Sequence, residues 1–160
     1  MSGSEIGSAP GLRPLYRATF QVAPRIVLGS GPTGTRIMVP ITGGSFAGER
    51  LSGEVQPGGA DWQLVRPDGV VEVDARYVFK TNDAALIAVH NVGILHAPPE
   101  VLGQLVRRED PHPSRYYMRM QPRFRTSSPA YAWLERVIAV ATGEVRARSG
   151  CVVIDVFDVE

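Results

Sequence analysis

An aspartate and a tryptophan stand side by side at Asp61-Trp62, directly after the corner Gly58-Gly59-Ala60. A carboxylate set against an indole in a glycine-walled corner is expected to be partly desolvated. Desolvation raises a carboxyl pKa until the group can give or take a proton near neutral pH. The competing role for Asp61 is structural, since an aspartate at a corner also accepts backbone N–H bonds and holds a turn. Trp62 is expected to be either core or the flat wall of a ligand pocket, and Trp133 carries the same pair of readings.

Three further groups extend this chemistry. Asp74 and Arg76 lie two apart on a predicted strand and so share a face. They pair structurally or line a polar interior, where Arg76 would hold a carboxylate or enolate oxygen. Tyr77 points to the opposite, apolar face, where a buried phenol needs a hydrogen-bond partner or a ligand oxygen. Tyr117 and Arg119 share a face of a later strand, and a mid-strand arginine is costly unless paired. His90 sits in an apolar run and reads as a core histidine or a proton shuttle.

Other chemistries find little support. His90, His96 and His112 lack the spacing of a metal site, and neither a metal nor a cofactor is expected. Cys151 is the one cysteine and lies in the apolar run Cys151-Val152-Val153-Ile154, as a buried thiol does. Gly29-Ser30-Gly31-Pro32-Thr33-Gly34 resembles a phosphate loop but is followed by neither Lys-Ser/Thr nor a helix. With a formal net charge of +1, the chain has no basic excess for nucleic acid. The nearest candidate is Arg119, Arg123 and Arg125 interleaved with Tyr116, Tyr117 and Phe124. No run reaches the length of a spanning helix, and the first residues carry no signal-peptide core. A cytoplasmic protein without membrane or nucleic-acid partners is expected.

The elements that must position these residues are mostly strands. Residues 1–11 are small and polar and read as a disordered tail, leaving one domain over 12–160. Tyr16, Ala18, Phe20 and Val22 alternate with Arg17, Thr19 and Gln21. Val71, Val73, Ala75, Tyr77 and Phe79 alternate with Glu72, Asp74, Arg76 and Lys80. Between Ala60 and Val65, Trp62 and Leu64 share one face and Asp61, Gln63 and Val65 the other. Pro67-Asp68-Gly69 spells a β-turn. Leu86 to Leu95 reads as a strand covered on both faces. One short helix is predicted from Pro98-Pro99-Glu100 to Arg107-Arg108, stopped by Pro111 and Pro113. Strands are predicted over 116–125, 133–142 and 151–159. About eight to nine strands with frequent turns favour a closed antiparallel barrel of lipocalin or allene-oxide-cyclase type, with a β-sandwich as the alternative.

The blocks PITGGSF, PGGADWQ and DARY, with the later Tyr116-Tyr117, Pro122-Arg123-Phe124 and Tyr131-Ala132-Trp133-Leu134, resemble a bacterial and fungal family of uncharacterised proteins. The resemblance runs from about residue 31 to 159 and implies a compact antiparallel barrel that forms a homo-oligomer, expected as a dimer. It implies no activity.

The residues themselves point to a cofactor-independent isomerase, cyclase, or hydratase/lyase acting on a small apolar or aromatic carbonyl compound. Asp61 would move the proton and Arg76 or Arg119 would hold the oxyanion. Tyr77, counted with these catalytic residues, would shape the wall with Trp62 and Trp133, and Asp74, His90 and Tyr117 would also contact the ligand. A non-catalytic barrel that carries a small hydrophobic ligand is the alternative. A fully packed barrel serving assembly is the third reading.

Overall fold

The structure, a computed structural model, describes Gly3 and residues 5–160. Met1, Ser2 and Ser4 of the expected tail lie outside the described residues, and residues 5–11 are exposed without regular structure. Ten strands follow: β1 (Leu12–Val22), β2 (Ile26–Gly31), β3 (Gly34–Ala47), β4 (Ser52–Val55), β5 (Gly59–Val65), β6 (Val71–Thr81), β7 (Leu86–His96), β8 (Tyr117–Arg125), β9 (Ala139–Arg146) and β10 (Cys151–Val159). The helix α1 spans Pro99–Val106, between β7 and β8.

The strands pair in the order β1-β10-β9-β8-β7-β6, then β4 and β5 end to end, then β3. β3 returns to β1 from Arg17↔Ala47 to Val22↔Ile41, which closes the sheet. The result is an eight-stranded antiparallel barrel with two extra strands. Closure removes most of the exposed edge that a sandwich would leave.

Alternation along β6 is complete, with Val71, Val73, Ala75, Tyr77 and Phe79 buried and Asp74, Arg76, Val78 and Lys80 exposed. Tyr16, Ala18 and Phe20 of β1 are buried as their spacing predicts. The Arg66–Gly69 turn forms, with Gly69 at φ 87° and its N–H donating to Arg66 O at 2.9 Å.

Four local expectations differ from the structure. Gly29–Gly34, expected as a loop, is the tip of the β2–β3 hairpin. β7 is covered on one face only, since Leu86 and Ile94 are exposed while Ile87, Val89 and Leu95 are buried. The segment Pro129–Arg136 is a 3-10 helix and not the start of a strand, so β9 begins at Ala139. Trp62 and Leu64 point outward, because β5 is locked between β3 and β6 by Val39↔Asp61 and Asp61↔Ala75. In a sheet of period two, directly paired residues share a face, so Ala75 carries Asp61 inside with it.

The barrel is packed differently along its length. At one end Tyr16, Phe20, Phe46, Tyr77, Phe79 and Phe124 form an aromatic cluster, with Phe46 stacked on Phe79 at 4.0 Å between centroids. Leu134 of the 3-10 helix is buried with this cluster. The other end opens into a cavity below α1.

Candidate functional site

The cavity has a volume of about 680 Å³. Its wall is mostly apolar, from Ile37, Val73, Ala75, Leu95, Met118 and Ile154, and it reaches the polar side chains of Asp61, Gln63, Tyr77 and Asn91. Leu102 and Leu105 of α1, the turn at Ala147–Gly150 and the connection at Ala23–Arg25 form its mouth. A mostly apolar concave space with a few convergent polar groups is the usual form of a small-molecule site.

Local structure places Asp61 there. Gly59 lets β5 cross close over β6, since a Cβ at Gly59 would lie 2.6 Å from Arg76 O and 2.8 Å from Tyr77 Cβ. β5 and β6 then pair at Asp61↔Ala75 and again at Leu64↔Glu72, with no pairs between. In that gap the Asp74 N–H donates to Asp61 Oδ1 at 3.0 Å. Gln63 Nε2 donates to Asp61 Oδ2 at 2.8 Å. A side-chain carboxylate thus takes a ladder donor that a backbone carbonyl would otherwise accept.

Two amides on a carboxylate favour the anion, and burial opposes it. Burial wins: it raises the Asp61 pKa above the ordinary carboxylate value, and the nearby Asp74 charge raises it further. Each carboxylate oxygen can accept more than one hydrogen bond, so Asp61 retains acceptor capacity toward the cavity.

Tyr77 is 4% exposed. Burial and the Asp61 charge push its phenol up, and the Asn91 amide only partly offsets them. Tyr77 therefore remains a neutral O–H donor at physiological pH. Asn91 is fully buried, Nδ2 sits 3.6 Å from Met120 Sδ, and Oδ1 has no hydrogen-bond partner. A buried amide with one free end costs stability unless something polar meets it.

The other sequence-predicted residues lie elsewhere. Arg76 and Arg119 are on the outer face, so neither reaches the cavity. The Arg119 guanidinium donates to Met118 O at 2.9 Å and lies 5.0 Å from the Tyr117 ring centroid, and exposure removes the cost expected of a mid-strand charge. His90 is not a core residue, because its Nε2 is 2.7 Å from Asp74 Oδ1 on the outside. Trp62 is 51% exposed. Trp62, Asp74, Tyr117 and Arg119 come together along an outer groove, open to water. Trp133 packs under the Arg50 guanidinium, 3.5 Å from its ring centroid, and is not part of the cavity wall. Tyr116 and Phe124 are buried, so they cannot interleave with the surface arginines as a stacking platform for bases.

Sequence reasoning missed Gln63 and Asn91. Val65 offered a signal for Gln63, because it shares the Asp61–Gln63 face and is apolar. Asn91 carried a weaker one, at even spacing from Ile87, Val89 and Leu95 on the face that proved to be inside. Among the described residues, no group of three His, Cys, Asp or Glu side chains converges as a metal site would require. Among the described residues, no helix is long and apolar enough to cross a membrane.

Residues 10–159 match the family described as a protein of unknown function, DUF3237, and the chain belongs to that family. The UPF0311 protein RPA1785 of Rhodopseudomonas palustris is 40% identical over 145 residues, covering 91% of this chain and 94% of that protein. The crystal structure of RPA1785 superposes with a TM-score of 0.90 at 36% identity, over 96% of this chain and all of that one (100%). A β-barrel-like protein of Acinetobacter baumannii superposes with a TM-score of 0.82 at 35% identity, over 97% and 99% of the two chains. Fungal relatives are more distant. A PR-toxin biosynthesis cluster protein of Penicillium roqueforti is 30% identical over 125 residues, 66% of this chain and 67% of that one. A structure described as an enzyme from Penicillium herquei shares the fold at 23% identity, with a TM-score of 0.74 over 99% and 100% of the chains.

Proposed function

We propose that this DUF3237 protein is a cofactor-independent acid–base enzyme that moves a proton next to the carbonyl of a small apolar or aromatic compound bound inside the barrel. The observation that carries this reading is the desolvated Asp61 carboxyl in a mostly apolar cavity that Tyr77 and Asn91 also line. The P. roqueforti relative from a biosynthesis cluster and the P. herquei enzyme with the same fold are in keeping with it.

The chemistry follows from the three groups. A carboxylate with a raised pKa is a better base than an exposed one. Asp61 takes a proton from the carbon beside the carbonyl, the C–H bond breaks, and its electron pair moves into an enolate. The Tyr77 O–H, a neutral donor whose oxygen is met by the Asn91 amide, stabilises the oxygen on which charge develops. Protonated Asp61 then returns the proton to the same or another carbon. Isomerisation, cyclisation and the loss of water can each begin with this step, and the addition of water ends with its reverse.

The second reading is that Asp61 only completes the β5–β6 ladder, favoured by its bond from the Asp74 N–H. One experiment separates the two. Uncharged aromatic ketones such as tetralone are incubated with the protein in D2O, and loss of the α-proton signal is followed by NMR. Exchange is expected to fall by about 10²–10⁴-fold in Asp61→Asn, with the fold retained by circular dichroism. Unchanged exchange alongside a lowered melting temperature assigns Asp61 to the ladder.

A further inference from the structure

The charged side chains that line the cavity divide by position. Asp61 lies inside, and Arg25, Arg108 and Arg148 stand at the mouth. All three arginines are exposed, and among the described residues none forms an ion pair with a carboxylate. Elsewhere Arg13, Arg17, Arg66 and Arg107 each hold an acidic partner, while other arginines such as Arg76, Arg119 and Arg123 do not, so it is the shared position at the mouth that sets these three apart.

The mouth is a built structure. Arg108 follows α1 at φ 58°, in the left-handed region that glycine normally fills at a helix end. Its N–H donates to Leu105 O, and the Glu109 N–H donates to Gln104 O at 2.9 Å, closing a Schellman motif around it. A non-glycine residue there carries a backbone cost. The Arg148 N–H donates to Asp110 Oδ1 at 3.0 Å, tying the β9–β10 turn to the segment after α1. The Val22 N–H donates to Gly150 O at 3.0 Å, tying the same turn to the strand end that leads to Arg25. Three segments far apart in sequence thus bring three arginines without an ion-pair partner to one opening.

None of the three arginines contributes to the shifted pKa of Asp61. They would act on a different part of the ligand from the acid. From Asn91 to Leu95, at the mouth end of β7, the strand rises on the order of 13 Å.

We propose that the cavity receives an elongated, mainly apolar ligand whose outer end bears an oxyanion such as a carboxylate, held by Arg25, Arg108 and Arg148 while its inner end reaches Asp61. This rests on the cavity being the binding site, and it adds the charge and the orientation of what binds. Guanidinium groups suit this task because their planar donors match carboxylate geometry.

A matched pair of fluorescent probes tests it: anilinonaphthalene sulfonate, which is anionic, and phenylnaphthylamine, its uncharged counterpart. Competition between the two establishes a shared site. The wild type is expected to bind the anion roughly tenfold more tightly than the neutral probe at low salt, and less so at high salt. The triple variant R25Q/R108Q/R148Q should bind both alike with its neutral affinity intact, while the triple lysine variant keeps part of the preference. Equal binding by the wild type, a preference that survives the triple glutamine variant, or failure of the probes to compete overturns the proposal. None of these results bears on Asp61, because its exchange test uses an uncharged ketone. A triple glutamine variant that still exchanges such a ketone, with no anion preference in the wild type, would sink the collar and spare the acid.

Discussion

The two ends of the barrel are built from the same alternating strands and do opposite things with their interior. Around Phe79 the space is filled: Tyr16, Phe46 and Tyr77 surround its ring with centroids 4.0–5.4 Å away. Farther along β6, around Ala75 and Val73, smaller side chains leave the cavity, and the polar groups of Asp61, Gln63 and Asn91 enter it. One end supplies stability and the other gives some up. Each end also holds one buried polar atom without a partner, Tyr16 Oη and Asn91 Oδ1. Only Asn91 lines the cavity, so only there could a ligand supply what is missing.

The largest effect is expected at the filled end. Phe79 is fully buried, and Phe79→Ala should lower the unfolding free energy by about 3–5 kcal/mol, read by urea denaturation. The remaining folded protein should keep its cavity probe affinity. A loss below 1 kcal/mol would mean that the aromatic cluster is not the anchor of the barrel.

A smaller effect distinguishes the ends by the sign of their pH response. The Asp61 pKa is raised in the fold, mainly by burial. Its contribution to stability is therefore fully present below the unfolded aspartate pKa of about 3.9 and is lost as pH rises through the folded value. Asp83, in the turn at the filled end, is held below its ordinary value by hydrogen bonds from Thr81 and Tyr131. Its contribution is present above the unfolded pKa and is lost as pH falls. Relative to Asp61→Asn, the wild type should lose stability on going from pH 3 toward neutral. Relative to Asp83→Asn it should gain. The same sign for both would erase the contrast.

The sequence made the strand faces, one turn and the helix legible and left the contents of the cavity obscure. β1 and β6 alternate so cleanly that their inner faces follow from residue type alone, and Pro67-Asp68-Gly69 marks its turn. Helix α1 is announced by Pro98-Pro99-Glu100 and ended by prolines. Asp61 was visible as chemistry, but its direction was not. On β5 the bulkiest apolar residue, Trp62, lies outside, and two polar residues lie inside. Pairing with β3 and β6 decides this, and those partners are distant in sequence. Arg76 and Arg119 were credible oxyanion holders until the register put them in water. His90 was misread for a related reason: its same-face neighbours on β7, Ala88 and Val92, are apolar, and its partner Asp74 belongs to another strand. The arginines at the mouth were invisible because residues 25, 108 and 148 meet only when the barrel closes.

The ionisation of Asp61 tests the account most directly. The carboxyl carbon of Asp61, assigned by comparison with Asp61→Asn, is followed by ¹³C NMR as pH is raised, with and without a neutral aromatic phenol. The account predicts a midpoint above that of an ordinary aspartate and a further shift when the phenol occupies the cavity. A midpoint at or below the ordinary value, unmoved by the phenol, would contradict it.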